Sequence, residues 1–353
     1  NKRLFKATHT VTGHVRGGLA MATIFACAGF AAICGSNTAT AATMTTVALP
    51  EMEKYKYHSA LSAGSIACGS TLGVVIPPSV VLIIVGLYTG QSITKLFYGG
   101  ILAGLVLAAL FMITIVVLCG IHPVWSPAGA KKSLAEKIKA LPGFIEALIL
   151  FLLVMSGLYM GIFTPTEAGA VGSLCALLIS FVRRSLTWKG FQSAVVDTLQ
   201  ISCMVFVIIA GAVIFSRFLA VTRIPFDIAD WVAGLPVPPA VILTIVFVIY
   251  IIGGALMDAL ALLLITIPIF FPVAMKLGYD PIWFGVMITV ITTLGAVTPP
   301  VGATTYVVAG MAKGVSLGNV FRGVLYFLPA YLICVVLLMI FPEIITFLPN
   351  LIR

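Results

Sequence analysis

The stretch Gly69-Ser70-Thr71-Leu72-Gly73-Val74-Val75-Ile76-Pro77-Pro78-Ser79 interrupts an apolar segment with glycines, hydroxyl side chains and two adjacent prolines. Thr293-Leu294-Gly295-Ala296-Val297-Thr298-Pro299-Pro300 repeats its Thr71 to Pro78 portion at an offset of 222 residues (293 minus 71, 300 minus 78). The same offset carries Pro50 onto Pro272 and Tyr57 onto Tyr279. With a slip of two residues, Gly90, Ser92 and Phe97 fall on Gly314, Ser316 and Phe321. The two halves of the chain therefore share one plan. Proline has no backbone N–H and clashes with the carbonyl four residues back, so each Pro-Pro pair must end a helix.

Composition sets the environment of these breaks. Hydrophobic residues make up 61% and charged residues 9% of the chain, and the mean hydropathy is +1.19. Ordinary soluble domains carry roughly 25% charged residues. Apolar stretches of about 20 residues, long enough to cross a bilayer, recur with no soluble-domain composition between them. The expected fold is thus an all-α polytopic membrane protein. In hydrocarbon, backbone groups freed by a broken helix are tolerated only where the break is buried in protein or lines an aqueous cavity. Paired interruptions at matching positions of two internal repeats point to a binding site at the midplane of a secondary transporter.

Other chemistries find little support. The net charge of +9 does not by itself indicate nucleic acid, because in a membrane protein the placement of Lys and Arg carries the information. The seven cysteines lie in apolar segments without a CxxC, which argues against disulfide and zinc frameworks. The histidines, His9, His14, His58 and His122, fall in loops or at segment ends and suggest no proton relay. A Ser-His-Asp arrangement, an HExxH motif and a P-loop are all absent from the sequence, so protease and ATPase readings fall away and no enzyme is expected.

The chain divides as follows. Residues 1–13 form a basic segment, and because residue 1 is Asn the chain is read as starting inside a longer protein. The first repeat, 14–120, comprises a hairpin over 14–50, a broken helix over 57–89 and a helix over 95–120. The arms of that hairpin are short for a crossing, and its Ser36-Asn37-Thr38 turn suits the tip of a re-entrant loop. A loop over 121–140 carries four lysines. Residues 141–236 supply three further helices and an amphipathic interfacial helix with Trp231. The second repeat, 237–353, contains a hairpin over 238–278, a broken helix over 281–311 and a helix over 317–348.

Assigning Lys and Arg to sides with both hairpins re-entrant places 15 on one face and 5 on the other, a strong positive-inside bias. The first hairpin then opens to the cytoplasm. Five crossings separate the hairpins, so the second repeat is inverted and the two tips meet near the bilayer centre.

Unwound carbonyls at Gly73 to Pro78 and Gly295 to Pro300, with the hydroxyls of Ser36, Thr38 and Thr298, are hard oxygen ligands suited to sodium. Helix N-termini after the breaks, near Ser79 and Val301, favour an anion. Asp258, at the second hairpin tip, faces a cation, accepts a proton or caps the following helix. Asn37 has the same choice between ligand and cap. Thr164-Pro165-Thr166-Glu167 has the spacing of a capping box.

At these motifs the sequence resembles the large membrane subunit of tripartite ATP-independent periplasmic (TRAP) transporters, the DctM-like family within the ion transporter superfamily. The matching segments include Arg16-Gly17-Gly18-Leu19-Ala20, Gly35-Ser36-Asn37-Thr38-Ala39-Thr40, Phe163-Thr164-Pro165-Thr166-Glu167-Ala168-Gly169, Met257-Asp258 and Thr298-Pro299-Pro300-Val301-Gly302. The resemblance implies an elevator-type, sodium-coupled symporter of organic acids, such as dicarboxylates, in the bacterial inner membrane, with no cofactor besides Na⁺ as coupling ion. Its implied partners are a periplasmic substrate-binding protein and a small (Q-type) membrane subunit in the lipid bilayer, and no nucleic acid. One sodium site would use Ser36, Asn37, Gly73, Ile76 and Pro78, and another Gly254, Gly295, Thr298 and Val301. Substrate contacts between the tips would come from Ser36, Asn37, Thr38, Asp258, Thr298, Thr304 and Thr305.

Family members usually carry additional helices before Arg16. After the second Pro-Pro they often read Gly-Leu-Asn where this chain has Gly302-Ala303-Thr304-Thr305. A stand-alone carrier of the same superfamily, working without a binding protein, is the alternative reading.

Overall fold

A computed structural model describes residues 15–127, 142–183, 186–312 and 314–351. The basic segment 1–13 and the lysines of the 121–140 loop lie outside the described residues. Regular structure among the described residues is helical, and six stretches are long and apolar enough to cross a membrane. The chain is a multi-pass, all-α membrane protein.

The first hairpin is α1 (Gly18–Cys34) and α2 (Asn37–Lys54). Next come α3 (Ser59–Ser70), the single turn α4 (Leu72–Val75) and α5 (Val80–Thr89), which together make the first broken helix, and then α6 (Ile93–Ile121). The second half mirrors this order. A hairpin of α11 (Pro239–Leu256) and α12 (Ala259–Lys276) leads to α13 (Pro281–Val297), a break, α14 (Ala303–Met311) and α15 (Leu317–Ile340). Between the halves lie α7 (Pro142–Tyr159), α8 (Pro165–Val182), α9 (Trp188–Thr222) and the short α10 (Ile224–Ala233), and α16 (Glu343–Leu351) ends the described chain. Both arms of the second hairpin have the length and apolarity of a span.

Side-chain caps set many of these boundaries. Ser36, Ser79 and Ser92 in the first half, and Asp258, Asp280 and Ser316 in the second, accept backbone N–H groups from the opening turn of their helices. Thr164 and Glu167 close the expected capping box, with the Thr164 N–H donating to Glu167 Oε2 at 2.8 Å. Glycines 90 and 314, equivalent positions in the two halves, both turn the chain in the left-handed region at φ +68° and +84°.

Several helices differ from expectation: the second arm of the first hairpin, expected to end at residue 50, runs through Pro50 to Lys54. The span expected over 317–348 is two helices, α15 and α16. Pro342 offers no N–H to the Leu338 carbonyl, which instead accepts the Trp283 indole N–H at 2.8 Å. The crossing expected over 190–216 runs on to Thr222. Arg217 does not interrupt it. The helix stops at Arg223, which lies in the left-handed region (φ 58°) before Ile224 and Pro225.

The halves are packed through one another. Helix α3 lies against α15, α13 lies against α6, and each hairpin rests on helices from both halves. They come very close at Gly64, where an added methyl would lie 2.5 Å from the Gly323 carbonyl carbon. Helix α10 packs along α12, joined to it by the exposed ion pair Asp230–Lys276. Helix α9 presents most of its surface outward, as a lipid-facing or subunit-facing helix does.

Candidate binding site at the paired helix breaks

At the first break, Pro77 and Pro78 withhold the N–H groups that a continuing helix would direct at the Gly73 and Val74 carbonyls. The Ser79 hydroxyl takes over the Val74 oxygen and also caps α5. The tip of the first hairpin closes on this region. A methyl at Gly73 would lie 2.7 Å from the Ser36 carbonyl oxygen and 2.9 Å from Thr40 Oγ1, and one at Gly35 would lie 2.6 Å from the Pro78 oxygen. Only glycine allows backbone to approach backbone so closely. Within the tip, the Ser36 and Thr38 hydroxyls share a hydrogen bond of 3.1 Å, and Thr40 Oγ1 donates to the Ser36 oxygen at 2.6 Å.

The second break repeats the arrangement. Pro299 and Pro300 remove the donors for the Gly295 and Ala296 carbonyls, and the Thr298 N–H turns back onto Gly295 at 2.9 Å. A methyl at Gly295 would lie 2.7 Å from Gly254 Cα and from the Ile251 oxygen, so the second hairpin closes on this glycine as the first does on Gly73. Val301 and Gly302 donate their N–H groups to the Ala255 oxygen at 3.2 and 3.1 Å, fastening break to hairpin through the backbone. Thr298 Oγ1 donates to the Leu294 oxygen and Thr305 Oγ1 to the Val297 oxygen, so both hydroxyls also occupy carbonyls near the break. Both Pro-Pro bonds are cis.

Each break thus gathers residues of its own hairpin tip. Ser36, Asn37, Gly73 and Pro78 gather around the first break with Ile76 buried beside them, and Gly254, Gly295, Thr298 and Val301 gather around the second. They are linked by Asn37, whose Nδ2 donates to Thr304 Oγ1 at 3.0 Å. Its Oδ1 accepts the Thr38 N–H at 2.8 Å, while Ser36 caps α2. Asp258 caps α12, with Oδ1 accepting the Leu260 N–H at 2.9 Å. Among the described residues no group of three or more His, Cys, Asp or Glu forms, and the polar groups brought together at the breaks are carbonyls, hydroxyls and an amide. That is a hard-oxygen set.

Some participants carried little signal in the sequence. Tyr331 is fully buried on α15, and its hydroxyl bonds to Thr71 and also contacts Thr293, the equivalent threonines of the two halves. The repeated Thr-Leu-Gly triplet marks the threonines, but a tyrosine inside an apolar span marks nothing. A cavity of about 370 Å³ opens beside the first hairpin tip, between Gly35 and Ser79 on one wall and Gly169, Gly172 and Ser173 of α8 on the other.

Over residues 1–344 the chain matches the family described as tripartite ATP-independent periplasmic transporter, DctM component. The chain belongs to the DctM family. DctM relatives align along nearly all of it. The C4-dicarboxylate TRAP transporter large permease protein DctM of Pseudomonas aeruginosa is 35% identical over 350 residues, which cover 99% of this chain and 81% of the relative. The sialic acid large permease SiaM of Vibrio cholerae is 31% identical, covering 99% and 82%. The isethionate permease DctMQ of Oleidesulfovibrio alaskensis is 35% identical over 89% of this chain and 49% of its own length. The DctM family match spans both hairpins and both breaks, and these relatives are permeases rather than enzymes.

Proposed function

We propose that this DctM-family chain is the large permease subunit of a sodium-coupled importer of an organic acid in the bacterial inner membrane. The observation that carries the reading is the duplicated break. In each half a proline pair removes the N–H that a continuing helix would direct at a glycine carbonyl, and a hairpin tip closes on that same glycine. Sodium is held at Ser36, Asn37, Gly73, Ile76 and Pro78 in one half and at Gly254, Gly295, Thr298 and Val301 in the other. The substrate anion lies between the tips, within reach of Thr38, Asp258, Thr304 and Thr305 and of the N-termini of α5 and α14.

The relatives are named for C4-dicarboxylates, sialic acid, isethionate and 2,3-diketo-L-gulonate, which supports an anionic substrate. Lys and Arg placement supports a first hairpin opening to the cytoplasm and a second, inverted, opening outward. The hairpins and broken helices then move together against α7–α9 as an elevator. A periplasmic binding protein delivers the substrate, and a small membrane subunit braces the outer helices.

Reconstitution with the small subunit and the cognate binding protein tests the reading. Uptake is expected only with an inward sodium gradient and the binding protein present. Sodium-independent uptake overturns the coupling, and uptake without the binding protein establishes the stand-alone carrier instead.

A further inference from the structure

The Tyr331 hydroxyl of α15 meets the two halves of the chain at equivalent places, hydrogen-bonded to Thr71 Oγ1 and in contact with the Thr293 hydroxyl. Thr71 stands two residues before Gly73, and Thr293 two residues before Gly295. Each threonine also reaches a carbonyl of its own helix. Thr71 Oγ1 donates to the Cys68 oxygen at 2.7 Å, and Thr293 Oγ1 donates to the Val290 oxygen at 2.6 Å.

This row of oxygens has more links than protons. A hydroxyl carries a single proton to donate. From the Cys68 oxygen through Thr71, Tyr331 and Thr293 to the Val290 oxygen there are four links, served by three protons, so one link stays empty. Tyr331 can bond to both threonines only if one of them releases its own helix carbonyl. All three hydroxyl-bearing residues are fully buried, so bulk water does not complete the row, and in a dry interior the members of such a network act on one another strongly.

The backbone differs according to the half that is served. At Thr71, which Tyr331 bonds, the helix has a joint: α3 ends at Ser70 and the turn α4 begins at Leu72. The Thr71 and Val74 N–H groups reach back only three residues, to the Cys68 and Thr71 oxygens at 3.2 and 3.1 Å. Thr293, which Tyr331 only contacts, lies inside α13, unbroken as far as Val297. One Thr-Leu-Gly triplet thus takes two backbone forms within the same molecule.

We infer that Tyr331 is a positioning residue that couples the two breaks: binding at one break shifts which link of the hydroxyl row is left empty and so alters the other break. The inference rests on the proposed reading, in which each break holds a sodium ion. Tyr331 is not a ligand and acts through the threonines, which lead into the segments carrying the Gly73 and Gly295 carbonyls. A buried element with two arrangements, biased from both sides, is what cooperativity between separate sites requires.

Equilibrium binding of radioactive sodium to the purified complete transporter tests this. Wild-type binding is expected to show a Hill coefficient approaching about two, the number of sites, and Tyr331→Phe to lower it to about one while both sites still fill. Thr293→Val, which leaves the tyrosine a single partner, is expected to do the same and serves where Tyr331→Phe folds poorly. Thr293→Ser, which keeps the hydroxyl, is expected to retain the wild-type curve. An unchanged Hill coefficient in both Tyr331→Phe and Thr293→Val, whatever their melting midpoints, overturns the inference while the sodium reading stands. Wild-type binding with a Hill coefficient of about one does the same. Wild-type protein that binds no sodium overturns both.

Discussion

Asn37 and Thr304, 267 positions apart in the chain, are joined inside the protein by a hydrogen bond of 3.0 Å from amide Nδ2 to Oγ1. It fastens the first hairpin tip to the helix that follows the second break. The equivalent positions at an offset of 222, Ala259 and Leu82, are apolar, so the second hairpin has no such tie.

Thr304→Val keeps the volume of the side chain and removes the acceptor, leaving a buried amide donor unpaired at a cost of about 1–3 kcal/mol. Thr304→Ser retains the acceptor. The melting midpoint in detergent is expected to fall for the valine variant and to stay near wild type for the serine variant; equal midpoints would show that the bond contributes nothing.

Gly64 and Gly323 bring α3 and α15 together. A methyl at Gly323 would lie 2.1 Å from the Ala60 carbonyl oxygen, and one at Gly64 would lie 2.5 Å from backbone, so neither neighbour can rotate away. Overpacking of this kind costs about 1–3 kcal/mol or more. Gly64→Ala and Gly323→Ala are expected to destabilise the protein. Gly120→Ala and Gly310→Ala, where nothing lies within 4 Å, serve as helix-favouring controls with no loss.

A methyl at Gly73 or Gly295 intrudes where hairpin and break meet, 2.7 Å from the Ser36 oxygen and from Gly254 Cα respectively. Each Ala substitution is expected to raise the sodium concentration for half-maximal uptake about tenfold, equivalent to about 1.4 kcal/mol of binding. Sodium titration of uptake checks this. If neither variant shifts the curve, these carbonyls do not hold the ion.

Tyr331→Phe deletes the hydroxyl shared by Thr71 and Thr293 while keeping the ring that packs edge-on against Phe111 at 4.9 Å. The expected loss is about 1 kcal/mol. A double-mutant cycle with Thr71→Val should show a coupling of about 0.5–1.5 kcal/mol, and strict additivity would mean the two groups act independently.

Much of this was legible because proline and glycine act locally. Pro77-Pro78 and Pro299-Pro300 stop their helices whatever surrounds them, and Ser36, Ser79 and Asp280 start the next helices by bonding to their own backbone. What the sequence hid depends on distant partners. The split of the last span at Pro342 was missed because the indole of Trp283, far back in the chain, satisfies the carbonyl that the proline strands. Asn37 offered ligand or cap, and only folding brings Thr304 within reach. Arg217 reads as the end of a crossing, but a long cationic side chain can extend away from an apolar helix without breaking it.

Helix α3 begins at Ser59 and is gripped by α15, which begins at Leu317, while α6 waits in the same way for α13. Neither half can therefore be finished on its own as it leaves the ribosome. The early helices must sit in the membrane with their small-residue faces uncovered until the last ones are inserted. Assembly then turns on the meeting of remote segments, and a truncation after residue 280 removes the partners of helices far upstream as well as its own.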